Sequence, residues 1–476
     1  MLSIESLHSQ RIGIIGFGKE GQAVARFLRR HGLQALVFDE QSRSGFPEEL
    51  IRELEGVGFA FQIGTPITDF SGVDIVFRSP GFHRLHPALR AAEAAGLVVT
   101  SQTKWFLEQC PAQVIGVTGT KGKGTTVSLI ARCLEESIAQ GGVVNHISPN
   151  AAVFVTGNIG KTDPLDLLDV LEPKDFVVFE LSSFQLQDVT TSPHVAVCLM
   201  VTSEHLDHHK SLEEYHAAKA PIANYQKLDD VIIYAADYEI SRRIGQLSRG
   251  AKYSYTRTSG GAYGATIQNE KDMIVFHGTP TEGSIDLQGR VLRGAHNLEN
   301  MAAAALAAQA VGVSLSTITH ALVTFPGLEH RLEYVRTVNG VTFYNDSFAT
   351  TPESTMAAIA AFDDPKIVIL GGSEKNSDFN NLAKCIADTV SVRSLIVIGV
   401  TAPRILQALQ TAGYTGAYVT GAMTMNEIGK QILEVAQSGD VVLLSPACAS
   451  FDMFPNYKER GAQFKAYVNS LTERLV

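Results

Sequence analysis

A lysine set among glycines and followed by hydroxyls is equipped to hold a polyphosphate. Residues 116–126 read GVTGTKGKGTT, after an apolar run ending Val114-Ile115 and before a helical pattern of Val127, Ile130, Cys133 and Leu134. A strand, a glycine-rich loop and a helix N-terminus make an anion cradle. Backbone N–H groups and the helix dipole face the phosphates, and Lys123 adds a mobile positive charge. The loop implies a nucleoside triphosphate held by Gly119, Thr120, Lys121, Gly122, Lys123, Gly124, Thr125 and Thr126. It departs by one residue from GxxxxGK[ST]: Gly124 follows the lysine, so the Mg2+ hydroxyl comes from Thr125 or Thr126, with Thr125 favoured.

Other residues stand where such a loop needs help. Glu180 ends the apolar run FVVFE (176–180), at the strand edge where a nucleotide enzyme places an acid for Mg2+; an acid facing water is the plainer alternative. Asn158, in the turn GNIG, suits a phosphate or a metal-bound water. Residues 202–209, TSEHLDHH, are a metal site or a polar loop; His205 lies just past an expected strand, whereas His208 and His209 read as solvated. Lys219 falls in an expected helix over 212–225, where a lysine is ordinarily a surface charge. In GAHNLEN (294–300), Asn297 and Asn300 share a helix face suited to adenine or phosphate, with N-capping as the rival role. Arg331 sits where a domain boundary is expected and could swing onto a γ-phosphate. Thr350, Lys375 and Ser450 follow three later strands, and hydroxyls plus an ammonium form a carboxylate-recognition set.

A second glycine motif, Gly16, Gly18 and Gly21, follows the first strand, and Asp39 ends the next. Alone it suggests NAD, but the geometry serves any nucleotide diphosphate, and a UDP-type ligand fits better beside a separate triphosphate loop. Ser79-Pro80-Gly81 adds a tight turn at the same sheet edge.

The elements that must position these residues alternate. Strands are expected at 11–15, 35–39, 74–77 and 97–100 with a helix at 20–31, a doubly wound α/β pattern. Residues 101–113, which hold the only Trp, form a candidate boundary. A second α/β region has strands at 176–180, 195–201 and 231–234, a β-rich insert at 251–291 and an alanine-rich helix at 298–310. A third has a hairpin signal at Asn339-Gly340 and strands at 367–370, 395–398 and 441–444. The 476 residues suit about three domains of ~150 residues each. A net charge of −10 argues against a nucleic-acid surface, and no apolar run approaches the ~18 residues of a membrane span. The N-terminus has no secretion signal, and five scattered cysteines without a CxxC pair read as reduced cytoplasmic thiols.

Together these motifs resemble the Mur ligase family over nearly the whole chain: GFGKEG, SPG, GTKGKGTT, GNIG, ELSSFQL, EHLDHH, HNLEN, GLEHRLE, YNDSFATTPEST, LGGSEK and SPACASFDMF…RG. ELSSFQL and the last block are most similar to the D-glutamate-adding branch. The resemblance implies a Rossmann-like N-terminal domain (1–101), a P-loop ATPase-like central domain (102–327) and a Rossmann-like C-terminal domain (328–476). It implies an ATP-dependent ligase joining D-glutamate to UDP-N-acetylmuramoyl-L-alanine through an acyl phosphate, a monomeric cytoplasmic enzyme of peptidoglycan synthesis and so of cell shape and division. Another Mur-type or folylpolyglutamate-type ligase, using a different amino acid, is the alternative. By the same resemblance, Gly16, Phe17, Gly18, Asp39, Ser79, Gly81 and Asn158 hold the UDP substrate. Lys123, His205 and Lys219 are catalytic. Thr125, Glu180, His205 and a possible carbamate on Lys219 serve Mg2+. Asn297, Asn300, Arg331 and Asp346 join the loop on ATP, and Thr350, Lys375, Ser450 and Tyr457 hold the amino acid. Three positions depart from the pattern: Lys121 stands for an expected Asn or His, Phe348 for a lysine of some D-glutamate enzymes, and Ser373-Glu374 for an acidic-glycine pair.

Overall fold

The computed structural model describes residues 3–141, 147–160, 162–202, 212–258, 263–374 and 376–472. Three sheets organise them. The first contains β1 (Ile12–Ile15), β2 (Ala35–Asp39), β3 (Ala60–Ile63), β4 (Ile75–Arg78) and β5 (Val98–Thr100), in the all-parallel order β3-β2-β1-β4-β5. β1 and β4 are buried at every residue, as their short apolar sequences require in a parallel sheet covered on both faces. The order reverses between β1 and β4, which makes their carboxyl ends the ligand crevice of this topology. The helix Lys19–Arg30 leaves that crevice with Val24, Phe27 and Leu28 turned into the core.

The second sheet contains β6 (Gln113–Thr118), β7 (Val153–Gly157), β8 (Phe176–Glu180), β9 (Val195–Cys198), β10 (Val231–Ala235), β11 (Ala251–Thr256), β12 (Gly264–Gln268), β13 (Met273–His277) and β14 (Gly283–Asp286). Its order is β14-β13-β12-β11-β10-β9-β6-β8-β7. The stretch read from sequence as a β-rich insert therefore continues the central sheet. β11 and β12 extend it in parallel, and β13 and β14 close it antiparallel. Gly264 permits the join: a Cβ there would stand 1.8 Å from the Ser254 carbonyl oxygen.

The candidate boundary at 101–113 holds the helix Gln102–Gln109, with Trp105, Phe106 and Leu107 buried. Trp105 lies 5.6 Å from Phe77 of β4, and Phe106 lies 5.5 Å from Phe179 of β8, so one hydrophobic core runs from the first sheet into the second. The single helix expected over 212–225 is two, Leu212–Lys219 and Pro221–Asn224, because Pro221 has no N–H to continue the ladder.

The third sheet contains β15 (Glu333–Val338), β16 (Val341–Asn345), β17 (Lys366–Gly371), β18 (Val392–Ile398), β19 (Ala417–Thr420) and β20 (Val441–Leu444), ordered β15-β16-β20-β17-β18-β19. Only β15 runs antiparallel. Asn339 and Gly340, at φ 51° and 77°, make the left-handed two-residue turn that the hairpin signal anticipated. The chain divides into two compact units, Met1–Gln288 with Glu299–Leu322, and Gly289–Leu298 with Val323–Val476. The first two sheets share the first unit.

The glycine motif gives a direct test. A Cβ on Gly21 would lie 1.9 Å from the Gly16 carbonyl oxygen, whereas one on Gly18 would meet nothing within 4 Å. Gly21→Ala is expected to cost about 1–3 kcal/mol through overpacking, lowering the melting temperature, while Gly18→Ala melts close to wild type. Equal melting curves for the two variants would contradict this packing.

Candidate active site

The phosphate loop leaves β6 and enters the helix Lys123–Ala139 through Gly122, its N-cap, at φ 86°. Thr120 N–H donates to Met200 O at 2.8 Å, which ties the loop to the chain leaving β9. The Lys123 ammonium curls back over the loop, donating to Gly119 O and Thr120 O at 3.1 Å each. Lys219 reaches the same place. It is 2% exposed, its Nζ donates to Gly119 O at 3.2 Å, and it sits 4.7 Å from the Tyr215 ring centroid. The helix carrying it thus turns a lysine inward, against the ordinary expectation for that residue type.

Thr126 donates through its hydroxyl to Asn300 Oδ1 at 3.3 Å, which leaves Thr125 as the loop hydroxyl without a hydrogen-bond partner among the described residues. Asn300 also closes on the loop from the side, since a Cβ on Gly122 would lie 2.3 Å from its Oδ1. Glu180 pairs in register with Val117 of β6 on one side and Gly157 of β7 on the other. Its carboxylate therefore ends one strand along from the loop, with the turn carrying Asn158 on its other flank. Lys121 is exposed. His205 lies outside the described residues, as does Lys375. The chain on either side of residues 203–211 meets the loop: Thr202 N–H donates to Thr120 Oγ1 at 3.0 Å, and Tyr215 OH lies 3.0 Å from the same hydroxyl.

At the crevice of the first sheet, Gly16 turns at φ 84° and its carbonyl accepts from Ser79 Oγ at 2.6 Å. Asp39 accepts from Phe17 N–H at 2.6 Å and from Gln41 N–H at 2.8 Å, so its carboxylate braces the glycine turn. The Phe17 ring is fully buried against Phe46 and Phe61, so it is the Phe17 backbone that stands at the crevice. Gly18 caps the helix Lys19–Arg30. Between this helix and the turn after β7 lies a cavity of about 350 Å³, lined among others by Lys19, Glu20, Arg26, Asn158, Asp163 and Gln185. Glu20 Oε1 accepts from Gln185 Nε2 at 2.9 Å, while its Oε2 is shut off from solvent without a hydrogen-bond partner. Burial pushes this carboxyl up to about 7, against the lowering effect of Gln185.

Arg78 pins the two walls together. Its guanidinium, 2% exposed, pairs with Asp188 at 2.7 Å and donates to the carbonyls of Phe82 at 2.5 Å and Phe184 at 3.2 Å. Neither Glu20 nor Arg78 stood out in the sequence. A charged residue closing the apolar strand IVFR was the available signal for Arg78; for Glu20, inside a glycine motif, there was none.

In the second unit, Asp346 follows β16 and is 7% exposed. Ser445 Oγ donates to it at 2.7 Å and Leu332 N–H at 3.1 Å. Burial outweighs these donors and holds its carboxyl at about 7. The Arg331 guanidinium stacks 3.9 Å from the Phe348 centroid, and Phe348 meets Tyr457 edge-on at 5.0 Å. Thr350 is half-buried, and Ser450 Oγ is buried with no hydrogen-bond partner among the described residues. Asn297 spends its amide on Arg293 O at 2.6 Å. Thr351 N-caps the helix Pro352–Ile359 with no side-chain cap hydrogen bond. Arg460, the arginine that closes the last family block, is fully buried and donates to Ser347 Oγ, Ser347 O, Cys448 O and Ala449 O at 2.8–3.3 Å. It thereby holds the exits of β16 and β20 together.

A phosphate loop on a parallel sheet, sharing a compact unit with a Rossmann-type sheet, defines a nucleotide-binding α/β protein. Family models match in chain order: a Mur ligase MurD-like N-terminal domain at residues 10–101, a Mur ligase middle domain at 117–308 and a Mur ligase glutamate ligase domain at 330–448. The chain belongs to the Mur ligase family. It is 36% identical over 474 residues, 98% of each chain, to the UDP-N-acetylmuramoylalanine–D-glutamate ligase of Acetivibrio thermocellus. It is 35% identical over 471 residues, 97% of this chain and 98% of the other, to the ligase of the same name from Symbiobacterium thermophilum. Among solved structures, its fold is similar to the UDP-N-acetylmuramate-alanine ligase MurC of Thermotoga maritima (TM-score 0.57, 18% identity, covering 97% of this chain and 99% of that one). It is also similar to the MurF ligase of the same organism in complex with ADP (TM-score 0.58, 16% identity, covering 92% and 95%).

Asp346 supplies a pH test. A carboxyl raised from 3.8 to about 7 in the folded chain favours folding when protonated, so its contribution is fully present below pH 4 and lost as pH rises through about 7. Asp346→Asn is expected to gain stability relative to wild type between pH 5 and pH 8. Urea titrations at both values check this, and a difference that does not change with pH would contradict it.

Proposed function

We propose that this chain is an ATP-dependent, ADP-forming ligase that joins D-glutamate to UDP-N-acetylmuramoyl-L-alanine in peptidoglycan synthesis. The observation that carries the reading is the convergence of Lys123 and Lys219 on one carbonyl of the phosphate loop, Gly119. Likeness over almost the full length to relatives named for D-glutamate addition supports the substrates. Three domains, 1–101, 102–327 and 328–476, divide the work in a monomeric cytoplasmic enzyme.

The chemistry follows from the reactants. An unactivated carboxylate does not yield to an amine, because its oxygen leaves poorly. One oxygen of the acceptor carboxylate bonds to the γ-phosphorus of ATP, and the bond to ADP breaks. The amine of D-glutamate then attacks the acyl carbon, and phosphate departs with the former carboxylate oxygen as the nitrogen loses a proton. Lys123 and the loop N–H groups stabilise charge on the transferring phosphoryl group. Thr125 and Glu180 are the hard oxygen donors that suit Mg2+, which when bound offsets the negative charge of the phosphates. His205 and Lys219, the latter with a carbamate on its buried amine, would serve a second such ion. Gly16, Phe17, Gly18, Asp39, Ser79, Gly81 and Asn158 would hold the UDP-linked acceptor. Asn297, Asn300, Arg331 and Asp346 complete the ATP set. Thr350, Lys375, Ser450 and Tyr457 hold the incoming amino acid.

ADP release is expected only when the UDP-linked acceptor and D-glutamate are both present, and not with L-glutamate or L-alanine. Lys123→Ala is expected to lower kcat by a factor on the order of 10² or more, from lost transition-state stabilisation. Acceptor labelled with 18O in its carboxylate should deliver one label to the released phosphate. Product formed without that transfer would remove the acyl phosphate from the scheme.

A further inference from the structure

Arg331 is presented from an uncommon stretch of backbone. The residues on both sides of it, His330 at φ 65° and Leu332 at φ 44°, lie in the left-handed region that a Cβ disfavours. Strain of this kind persists only where neighbours over-determine it. Here β15 and the exit of β16 do so. His330 N–H donates to Glu333 Oε2 at 2.9 Å, Asn345 Nδ2 lies 2.8 Å from His330 Nδ1, Phe348 N–H donates to His330 O at 3.0 Å, and Leu332 N–H donates to Asp346 Oδ1 at 3.1 Å. The segment so held lays the Arg331 guanidinium 3.9 Å from the centroid of the Phe348 ring. That ring is left 40% exposed rather than drawn into the core, and its other ring contact is Tyr457, edge-on at 5.0 Å. Tyr457 is fixed in turn: Ser347 Oγ donates to its carbonyl at 2.8 Å, and the His330 ring meets it edge-on at 5.9 Å. Phe348 thus stands two residues after Asp346 of the nucleotide set and two before Thr350 of the amino-acid set.

We infer that Phe348 is a positioning residue that holds the Arg331 guanidinium against its ring face, at the point where the transferred phosphoryl group meets the amine of the incoming amino acid. This rests on the reading of the chain as a ligase. An arginine loose in water samples many rotamers, and stacking on a ring removes them before the substrates arrive. A ring face also holds a cation without using up its N–H donors, whereas a carboxylate in the same place would take them from the phosphate oxygens. An aliphatic side chain at 348 offers contact but no quadrupole, and a second cation there repels the first.

The test is steady-state ADP release by the full chain with ATP, the UDP-linked acceptor and D-glutamate. Phe348→Leu is expected to lower kcat/KM for D-glutamate about fivefold to tenfold, the range of a partly desolvated cation–π contact. The KM for the UDP-linked acceptor and the melting temperature are expected to stay at their wild-type values. Phe348→Tyr keeps the ring face and is expected to keep the wild-type rate, whereas Phe348→Lys sets a like charge against Arg331 and is expected to fall below Phe348→Leu. In an Arg331→Ala background, Phe348→Leu is expected to cost less than about twofold more, because the ring then has no cation to hold. Four results each overturn the inference and leave the ligase reading standing: Phe348→Leu as fast as wild type, Phe348→Tyr as slow as Phe348→Leu, Phe348→Lys faster than Phe348→Leu, or an undiminished Phe348→Leu loss without Arg331. A loss that falls instead on the acceptor KM or the melting temperature overturns it too. The Leu, Tyr and Lys series decides by itself where Arg331→Ala is too slow to follow. A wild-type chain that releases no ADP with these substrates overturns the ligase reading and this inference with it.

Discussion

Burial of the Arg78 guanidinium is the constraint on which the first unit depends. Taking a charged group out of water costs several kcal/mol unless every donor finds an acceptor. Arg78 meets that demand with Asp188 and carbonyls from both sides of the seam, Phe82 from the first sheet's side and Phe184 from the second's. Arg84 takes the other oxygen of Asp188 at 2.7 Å. These partners come from the SPG turn after β4 and the short helix after β8, Ser183–Leu186. The two glycine loops, a hundred residues apart in the chain, are consequently placed on one body.

The same economy recurs in the second unit. Arg460 has no ion-pair partner among the described residues, and burial pulls its guanidinium down to about 10. Its donors close on Ser347 and on the carbonyls of Cys448 and Ala449, next to Ala447 at φ 60°, a backbone region that a residue with a Cβ seldom occupies. The β20 exit is thus held in an uncommon shape by a side chain behind it. Ser450 is presented from that shape.

Much of the architecture was legible in the chain because local rules decide it. β2, β8 and β20 begin and end where their apolar runs do, and the phosphate loop announces itself by its glycines. What was not legible depends on partners distant in sequence. The burial of Trp105 was not legible, because nothing nearby in the chain shows that Phe77 receives it. β11 to β14 looked like an insert because their short, half-polar runs carry no sign of the neighbour they extend. Of the groups that the fold gathers around the phosphate loop, Lys123, Thr125, Glu180 and Asn300 were singled out by spacing, and Lys219 by the family resemblance alone. The direction of the Phe17 ring was not legible, because the aromatic neighbours that receive it, Phe46 and Phe61, are distant in sequence. The burial of Arg78 and Arg460 likewise depends on partners that no local pattern records.

Trp105, the sole indole of the chain, is fully buried with its N–H unbonded, between the strand that leads into the SPG turn and the helix that leads into β6. An indole in so dry a place emits at short wavelength, and water reaching it moves the emission to the red. The seam between the nucleotide loops therefore carries its own optical gauge. Because no other indole contributes, parting of the first sheet from the second would be visible as a colour change even while the rest of the chain stayed folded.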